Sequence, residues 1–280
     1  MKKKSIKLII AAMVATMSMG ILVGCGGKDD SGSGEKSATI SISGSTSIGP
    51  LMEKEAAAYK KENSNVNIEI QQIGSSAGIK NAISGVSEIG MASRELKDEE
   101  KAEVSETVIA FDGIGLVVHP NNTAVNLTMD QIKSIYTGAI TNWKDVGGKD
   151  APIVVVSRDE SSGTRSAFQE LVDFTSEELE KSAIIADGNG SVKTTVATNE
   201  NAIGYISFEG IDESVKALKA DDVDATADNV LNKTYSLSRP FIVVYKDSNI
   251  TEEGKKFIDY ILSDAGQTIV EEAGGIKLGK

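Results

Sequence analysis

The 280-residue sequence holds one cysteine, Cys25, and one histidine, His119. A single cysteine excludes any disulfide within the chain. A single imidazole leaves a histidine-based metal site without a second ligand. His119 follows an apolar run and precedes Pro120-Asn121-Asn122, so it reads as a surface residue at a strand end. The acidic residues are scattered as on a solvated face rather than gathered into a cage, and neither metal nor cofactor is expected. Positive charge is also scarce: 29 Lys+Arg face 41 Asp+Glu, a net charge of −12. That balance argues against nucleic acid as a partner, and any anion site must work locally against the field of the whole molecule. No G-x-x-x-x-G-K-[ST] run is present, so the glycine-rich segments are not the phosphate loop of a nucleotide hydrolase. A serine hydrolase needs a base near a nucleophile, and "GSSAG" and "SSGTR" are read as lacking the nucleophile-elbow pattern, so no enzyme is expected. There is no internal repeat. The one tryptophan, Trp143 in "TNWKDVGG", reads as packing or a loop anchor.

What is present begins with an export signature. Lys2, Lys3, Lys4 and Lys7 precede an apolar run from Leu8 to Val23. The run is nearly long enough to span a membrane, and the residues that end it decide its nature. Leu22-Val23-Gly24-Cys25 resembles the lipobox of bacterial lipoproteins. The resemblance implies a signal peptide over 1–24, lipid on Cys25, and anchorage at the extracytoplasmic face of the cell membrane. Residues 25–37, with "GGKDDSGSGEKS", have the composition of a flexible tether. Without the four signal lysines, 25 of the 29 basic residues remain against 41 acidic ones, and the mature part carries about −16.

From Ala38 onward, short apolar runs alternate with amphipathic patterns, the signature of α/β architecture. Strands are expected at "ATISISGS", "VNIEIQQIG", "SEIGMAS", "APIVVVSRD", "AIGYISFEG" and "RPFIVVYKD". "TVIAFDGIGLVVHP" reads as a long apolar run interrupted at Asp112-Gly113. Helices are expected at "PLMEKEAAAYKKEN", "AGIKNAIS", "KDEEKAEV", "TMDQIKSIYTG" (capped by Thr128), "GTRSAFQELVDF", "SEELEKSAI", "VKTTVATN" and through the C-terminal "TEEGKKFIDYILSDAGQTIVEEAG".

One local pattern recurs. "SGSTSIGP", "IGSSAGIK" and "SRDESSGTRS" each follow a strand, open a helix, and carry more hydroxyls than one N-cap needs. "DGNGS" at 187–191 and Ser93-Arg94 occupy comparable places. The first turn of a helix has amides without intrahelical acceptors and partial positive charge. Hydroxyls add donors that rotate to fit. Converging starts of this kind could enclose a tetrahedral oxyanion, with Arg158 or Arg165 adding charge-assisted bonds. The ordinary alternative for Arg158 is a surface salt bridge to Asp159 or Glu160.

The motifs "GSTSIGP", "GSSAGIK", "RDESSGT", "NAIGYI" and "SLSRPF", in this order, resemble those of the phosphate-binding components of bacterial phosphate ABC importers. The resemblance implies an α/β, two-lobed type II periplasmic binding protein fold, each lobe a mixed sheet flanked by helices, hinged around a central cleft. The hinge would lie near "FDGIGL" and "SLSRPF", giving a first lobe from 38–111 and 239–280 and a second from 112–238. It implies phosphate ligation by Thr46, Ser47, Ser75, Ser93, Arg158, Ser162, Gly163 and Thr164, with Glu160 holding the arginine. Ser45, Ser76, Ser161 and Arg165 are adjacent possibilities. Some family members carry aspartate where this chain has Ser93, which leaves discrimination between phosphate and sulfate open. The implied function is capture of inorganic phosphate by a monomer and delivery to the transmembrane subunits of an ABC permease. The alternatives are a lipoprotein binding another oxyanion, such as sulfate or molybdate, and a surface protein for adhesion or signalling.

Overall fold

The computed structural model describes residues 38–279. The expected signal peptide, the lipidated Cys25 and the tether lie outside the described residues. In chain order the elements are β1 (Ala38–Gly44), α1 (Gly49–Glu62), β2 (Val66–Gln72), α2 (Ser75–Ser84), β3 (Ile89–Ala92), α3 (Asp98–Lys101), β4 (Ser105–Val118), β5 (Asn126–Leu127) and α4 (Met129–Tyr136). They continue with β6 (Val154–Arg158), α5 (Gly163–Val172), β7 (Ile184–Ala186), α6 (Asn189–Ala197), β8 (Ala202–Ser207), β9 (Lys216–Ala217), β10 (Lys219–Ala220), α7 (Ala227–Leu231), β11 (Ser238–Tyr245), α8 (Glu252–Leu262) and α9 (Asp264–Glu272).

A mixed sheet runs in the order β2-β1-β3-β11-β4-β8-β6-β7, with β9 also on β4. β1 pairs in parallel with β2 and β3, and β6 pairs in parallel with β7 and β8. The two parallel groups meet through the antiparallel strands β11 and β4. Ser105–Gly113 of β4 pair with β11, whereas Ile114–Val118 pair with β8. The expected interruption at Asp112-Gly113 is therefore not a break, because β4 is continuous through it. It is the point where the strand exchanges one partner for another.

Both faces of each sheet half are covered, as parallel strands require. On one half, α1, α8 and α9 pack Leu51, Tyr59, Phe257 and Ile261 onto Ile40, Ile42 and Phe241, and α2 covers the other face with Ile79 and Ala82. On the other half, α4 and α5 bring Ile132, Tyr136 and Phe168 against Leu116 and Tyr205. There α6 seals the opposite face with Val192 and Val196. Near the C-terminus Ile276 returns to the second core and exchanges both backbone hydrogen bonds with Phe111, each 2.8 Å.

Local chemistry sets the element ends. Thr128 and Gln131 form a reciprocal capping box at α4. Trp143 is buried and donates its indole N–H to the Asn201 carbonyl at 2.9 Å, the anchoring role its loop suggested. Two expected helices differ. "SEELEKSAI" forms no helix, because Glu178 and Glu180 accept from the backbone and hydroxyls of Thr175 and Ser182 instead. "KDEEKAEV" yields only the four residues Asp98–Lys101, since Arg94 draws Glu100 inward and β4 opens at Ser105. Among the described residues no helix is long and apolar enough to cross a membrane.

Candidate anion-binding site

The recurrent helix starts converge. β1, β2, β3 and β6 all end at the same edge, and the segments beyond them meet where the two sheet halves come together. Gly44, with φ of 144°, lets β1 turn within touching distance of β3: a Cβ there would stand 2.3 Å from the Met91 carbonyl oxygen.

The surplus hydroxyls after β1 divide their labour. Ser45 closes the turn that leads into α1: its Oγ accepts from the amides of Ser47 and Ile48 at 3.1 and 3.3 Å and donates to Ser93 Oγ at 2.8 Å. Thr46 and Ser47 reach across to the other sheet half. Thr46 Oγ1 accepts from Arg158 Nη2 at 3.1 Å, and Ser47 Oγ lies 2.9 Å from Thr164 Oγ1. Ser75, the first residue of α2, accepts the Ser93 amide at 3.1 Å, with the two hydroxyls 3.2 Å apart. Ser162 caps α5 by accepting the Arg165 amide at 3.2 Å. Gly163 sits so close to the opposite wall that a Cβ would lie 2.2 Å from Ser75 Oγ and 2.9 Å from Ser93 Oγ. All eight residues assigned by resemblance thus fall in one place.

Of the adjacent possibilities, Ser45 joins the network. Arg165 turns back, donating to the Arg158 carbonyl at 3.0 Å. Ser161 bonds to Asp159 within its own turn, and Ser76 accepts weakly from Arg94 at 3.4 Å. Contrary to expectation, Gly74-Ser75-Ser76-Ala77-Gly78 does have the G-x-S-x-G spacing of a hydrolase nucleophile elbow, with Ser76 at its centre. The lone His119, however, lies beyond the end of β4 and accepts from the Asn121 amide, and the one side-chain partner of Ser76 Oγ among the described residues is Arg94, a donor.

Charge is distributed unevenly. Arg158 is 1% exposed and donates only to neutral acceptors: Thr46 Oγ1, Asn189 Oδ1 at 3.2 Å and the Asp187 carbonyl at 3.4 Å. The salt bridge to Asp159 or Glu160 does not form. Glu160 is exposed and does not hold the arginine, contrary to expectation; the loop between β6 and α5 turns it outward. Burial pulls the Arg158 guanidinium below its ordinary pKa, with Tyr205, Asp159 and Asp187 opposing that shift. A buried cation without a directly paired carboxylate is costly unless an anion completes it.

A second guanidinium was not singled out as a site residue by sequence reasoning. Arg239, in the "SLSRPF" motif, is 3% exposed and forms a buried ion pair with Asp112, Nη2 to Oδ2 at 2.9 Å and Nε to Oδ2 at 3.1 Å. The signal was there, since both residues belong to the motifs assigned to the hinge, but nothing in the sequence aims them at the site. Beside Arg158 opens a cleft of about 520 Å³ bordered by Thr46, Gln72, Asn189, Ser191, Lys193 and Glu209. Both Glu209 carboxylate oxygens are buried without a hydrogen-bond partner, and burial, with Asp112 nearby, raises the Glu209 pKa to about 8.

A family model described as "PBP superfamily domain" matches residues 30–265, so the chain belongs to the PBP superfamily, whose α/β fold the sheet order displays. Two curated relatives narrow the class, both bearing the name phosphate-binding protein PstS. The Borreliella burgdorferi protein is 32% identical over 97% of this chain and 99% of its own. The Bacillus subtilis protein is 32% identical over 99% and 95%. A solved structure from Clostridium perfringens, described as a putative phosphate ABC transporter substrate-binding protein with bound phosphate, is 61% identical. It covers 86% of this chain and 100% of its own, with a TM-score of 0.85. A Vibrio cholerae ABC-type phosphate transport receptor is 39% identical over 85% of this chain, with a TM-score of 0.74. The chain belongs to the PstS family of phosphate-binding proteins, which are binding proteins and not enzymes.

Proposed function

We propose that this chain captures inorganic phosphate and delivers it to an ABC permease, as a type II two-lobed binding protein. In this reading the lobes are 38–111 with 239–280, and 112–238, and they hinge where β4 passes from β11 to β8. The anion sits among Thr46, Ser47, Ser75, Ser93, Arg158, Ser162, Gly163 and Thr164. The observation that carries the reading is the buried guanidinium of Arg158, which forms no ion pair and is surrounded by hydroxyls and two helix starts.

The physical sequence of events follows. In the open form each wall presents donors to water. Phosphate satisfies the amides and hydroxyls of the β1, α2 and β3 ends and, at once, Arg158 and the start of α5. Its differential affinity for the closed form then shifts the hinge equilibrium. No bond is made or broken. The working location is extracytoplasmic, and the Leu22–Cys25 sequence supports attachment through lipid on Cys25, with the protein acting as a monomer.

Calorimetric titration with phosphate, sulfate and molybdate tests the function. Saturable binding of phosphate, in preference to the other two, is the expected result. Preference for sulfate or molybdate, or no binding of any anion, would refute it. Mass spectrometry of the membrane-associated protein tests the anchor: a thioether-linked lipid on Cys25 is expected, and an unmodified cysteine would remove that part.

A further inference from the structure

The Arg239–Asp112 pair lies behind the anion site rather than in it, yet it touches both of the loops that form one wall. Arg239 Nη1 donates to the Ser93 carbonyl at 3.0 Å, and Nη2 donates to Ser47 Oγ at 3.2 Å. Asp112 is itself held from β8: its Oδ1 accepts from Ser207 Oγ at 2.8 Å and from the Phe208 amide at 3.2 Å. We propose that Arg239 is a positioning residue of the phosphate site. Anchored by Asp112, it fixes the Ser47 hydroxyl and the Ser93 segment so that the protons of that wall point toward the anion.

A guanidinium only donates, so Ser47 Oγ must accept from Arg239. Ser47 and Thr164 then share two protons. One closes the 2.9 Å bond between them, and the other is left for the ligand. Ser45 behaves alike: its oxygen is taken by two backbone amides, so its proton goes to Ser93 Oγ. Ser93 can accept that proton and pass its own forward. The wall is thereby biased toward donation without spending a net charge, because Asp112 cancels that of Arg239. Arg158 supplies the charge and Arg239 supplies direction.

The pair also links the two sheet halves. Asp112 is the last residue but one of β4 that pairs with β11, and Arg239 is its register partner there. The hydrogen bonds of Asp112 run to the β8 side and those of Arg239 run to the β1 and β3 ends. The wall is therefore oriented from the segment about which closure would pivot.

The proposal rests on the phosphate reading, and titration of the wild type with inorganic phosphate tests that reading alone. The positioning role is tested by Arg239→Lys, Ser47→Ala and the double variant. Lysine keeps the charge and loses the planar fork. Each single change is expected to weaken phosphate binding about tenfold, by loss of one hydrogen bond to an ionic group. The double variant is expected to lose about tenfold as well, because the two act through one hydroxyl. Losses that multiply to about a hundredfold, or wild-type affinity in a folded Arg239→Lys protein, would overturn the role. Should Arg239→Lys fail to fold, Ser207→Ala decides. It removes one donor from Asp112 and leaves the anion's own partners in place, and about a threefold loss is expected. Unchanged affinity in Ser207→Ala would overturn the proposal. A wild type that ignores phosphate defeats both readings, whereas a wild type that binds alongside indifferent variants defeats only this one.

Discussion

Gly163→Ala separates site geometry from fold stability. The glycine is the first residue of α5, and its φ lies outside the left-handed region, so alanine fits the backbone. Alanine also suits a helix better than glycine, by up to about 1 kcal/mol in a helix interior. On local grounds the substitution should be harmless. The opposing wall decides otherwise. The added Cβ would stand 2.2 Å from Ser75 Oγ and 2.7 Å from Ser75 Cβ. Rotating the hydroxyl relieves the first contact and cannot relieve the second. Ordinary contact begins near 3.4 Å, so the start of α5 and the start of α2 must separate by roughly 0.7 Å against the fixed Cβ. Hydrogen bonds weaken steeply with such displacement. Losing one or two bonds to a charged ligand, at about 1.5–3 kcal/mol each, weakens binding by between about tenfold and somewhat more than about ten-thousandfold. Calorimetry with phosphate is the assay, paired with thermal melting of the ligand-free protein. The expected result is a melting temperature within a few degrees of wild type and an affinity at least tenfold lower. Affinity within about threefold of wild type would show that the two helix starts do not clasp a common ligand.

Three further outcomes follow from the same geometry. Arg158→Ala or Thr164→Ala should weaken phosphate binding by at least about tenfold, read by titration, and unchanged affinity in both would move the site elsewhere. Glu55 is fully buried on α1 with neither carboxylate oxygen bonded, and burial raises its pKa from 4.5 to about 8. The folded state therefore holds a proton that the unfolded state releases, so this stability is present below about pH 4.5 and is lost as pH rises through about 8. Melting from pH 5 to pH 9 should show Glu55→Gln falling less steeply than wild type; parallel curves would contradict the assignment. Thr128→Ala removes the capping box of α4 and should cost about 1 kcal/mol in denaturant unfolding while leaving phosphate affinity unchanged.

Much of the fold was legible because apolar runs and capping residues are local signals. The six expected strands and the main helices follow the alternation of "VNIEIQQ" or the periodicity of "GTRSAFQELV". The hydroxyl-rich helix starts were legible for the same reason, and their recurrence after strands placed them on one edge. What escaped depends on tertiary contact. The two-residue strands β5, β9 and β10 are too short to carry a periodic pattern. "SEELEKSAI" has helix-forming composition, yet its acids find backbone partners that end the helix before it begins. Glu160 was expected beside Arg158, and only the turn between β6 and α5 determines that it faces solvent. Asp112 and Arg239 are 127 positions apart, and their pairing is a property of the sheet register rather than of either motif.

In the proposed site Arg158, Ser75 and Thr164 close around one phosphate. The most direct measurement is a crystal structure of the phosphate complex. The expected result is a single anion between the β1, α2, β3 and α5 ends, with its oxygens within hydrogen-bond distance of Arg158, Ser75 and Thr164. Phosphate bound elsewhere, or a guanidinium of Arg158 turned away from it, would contradict the account.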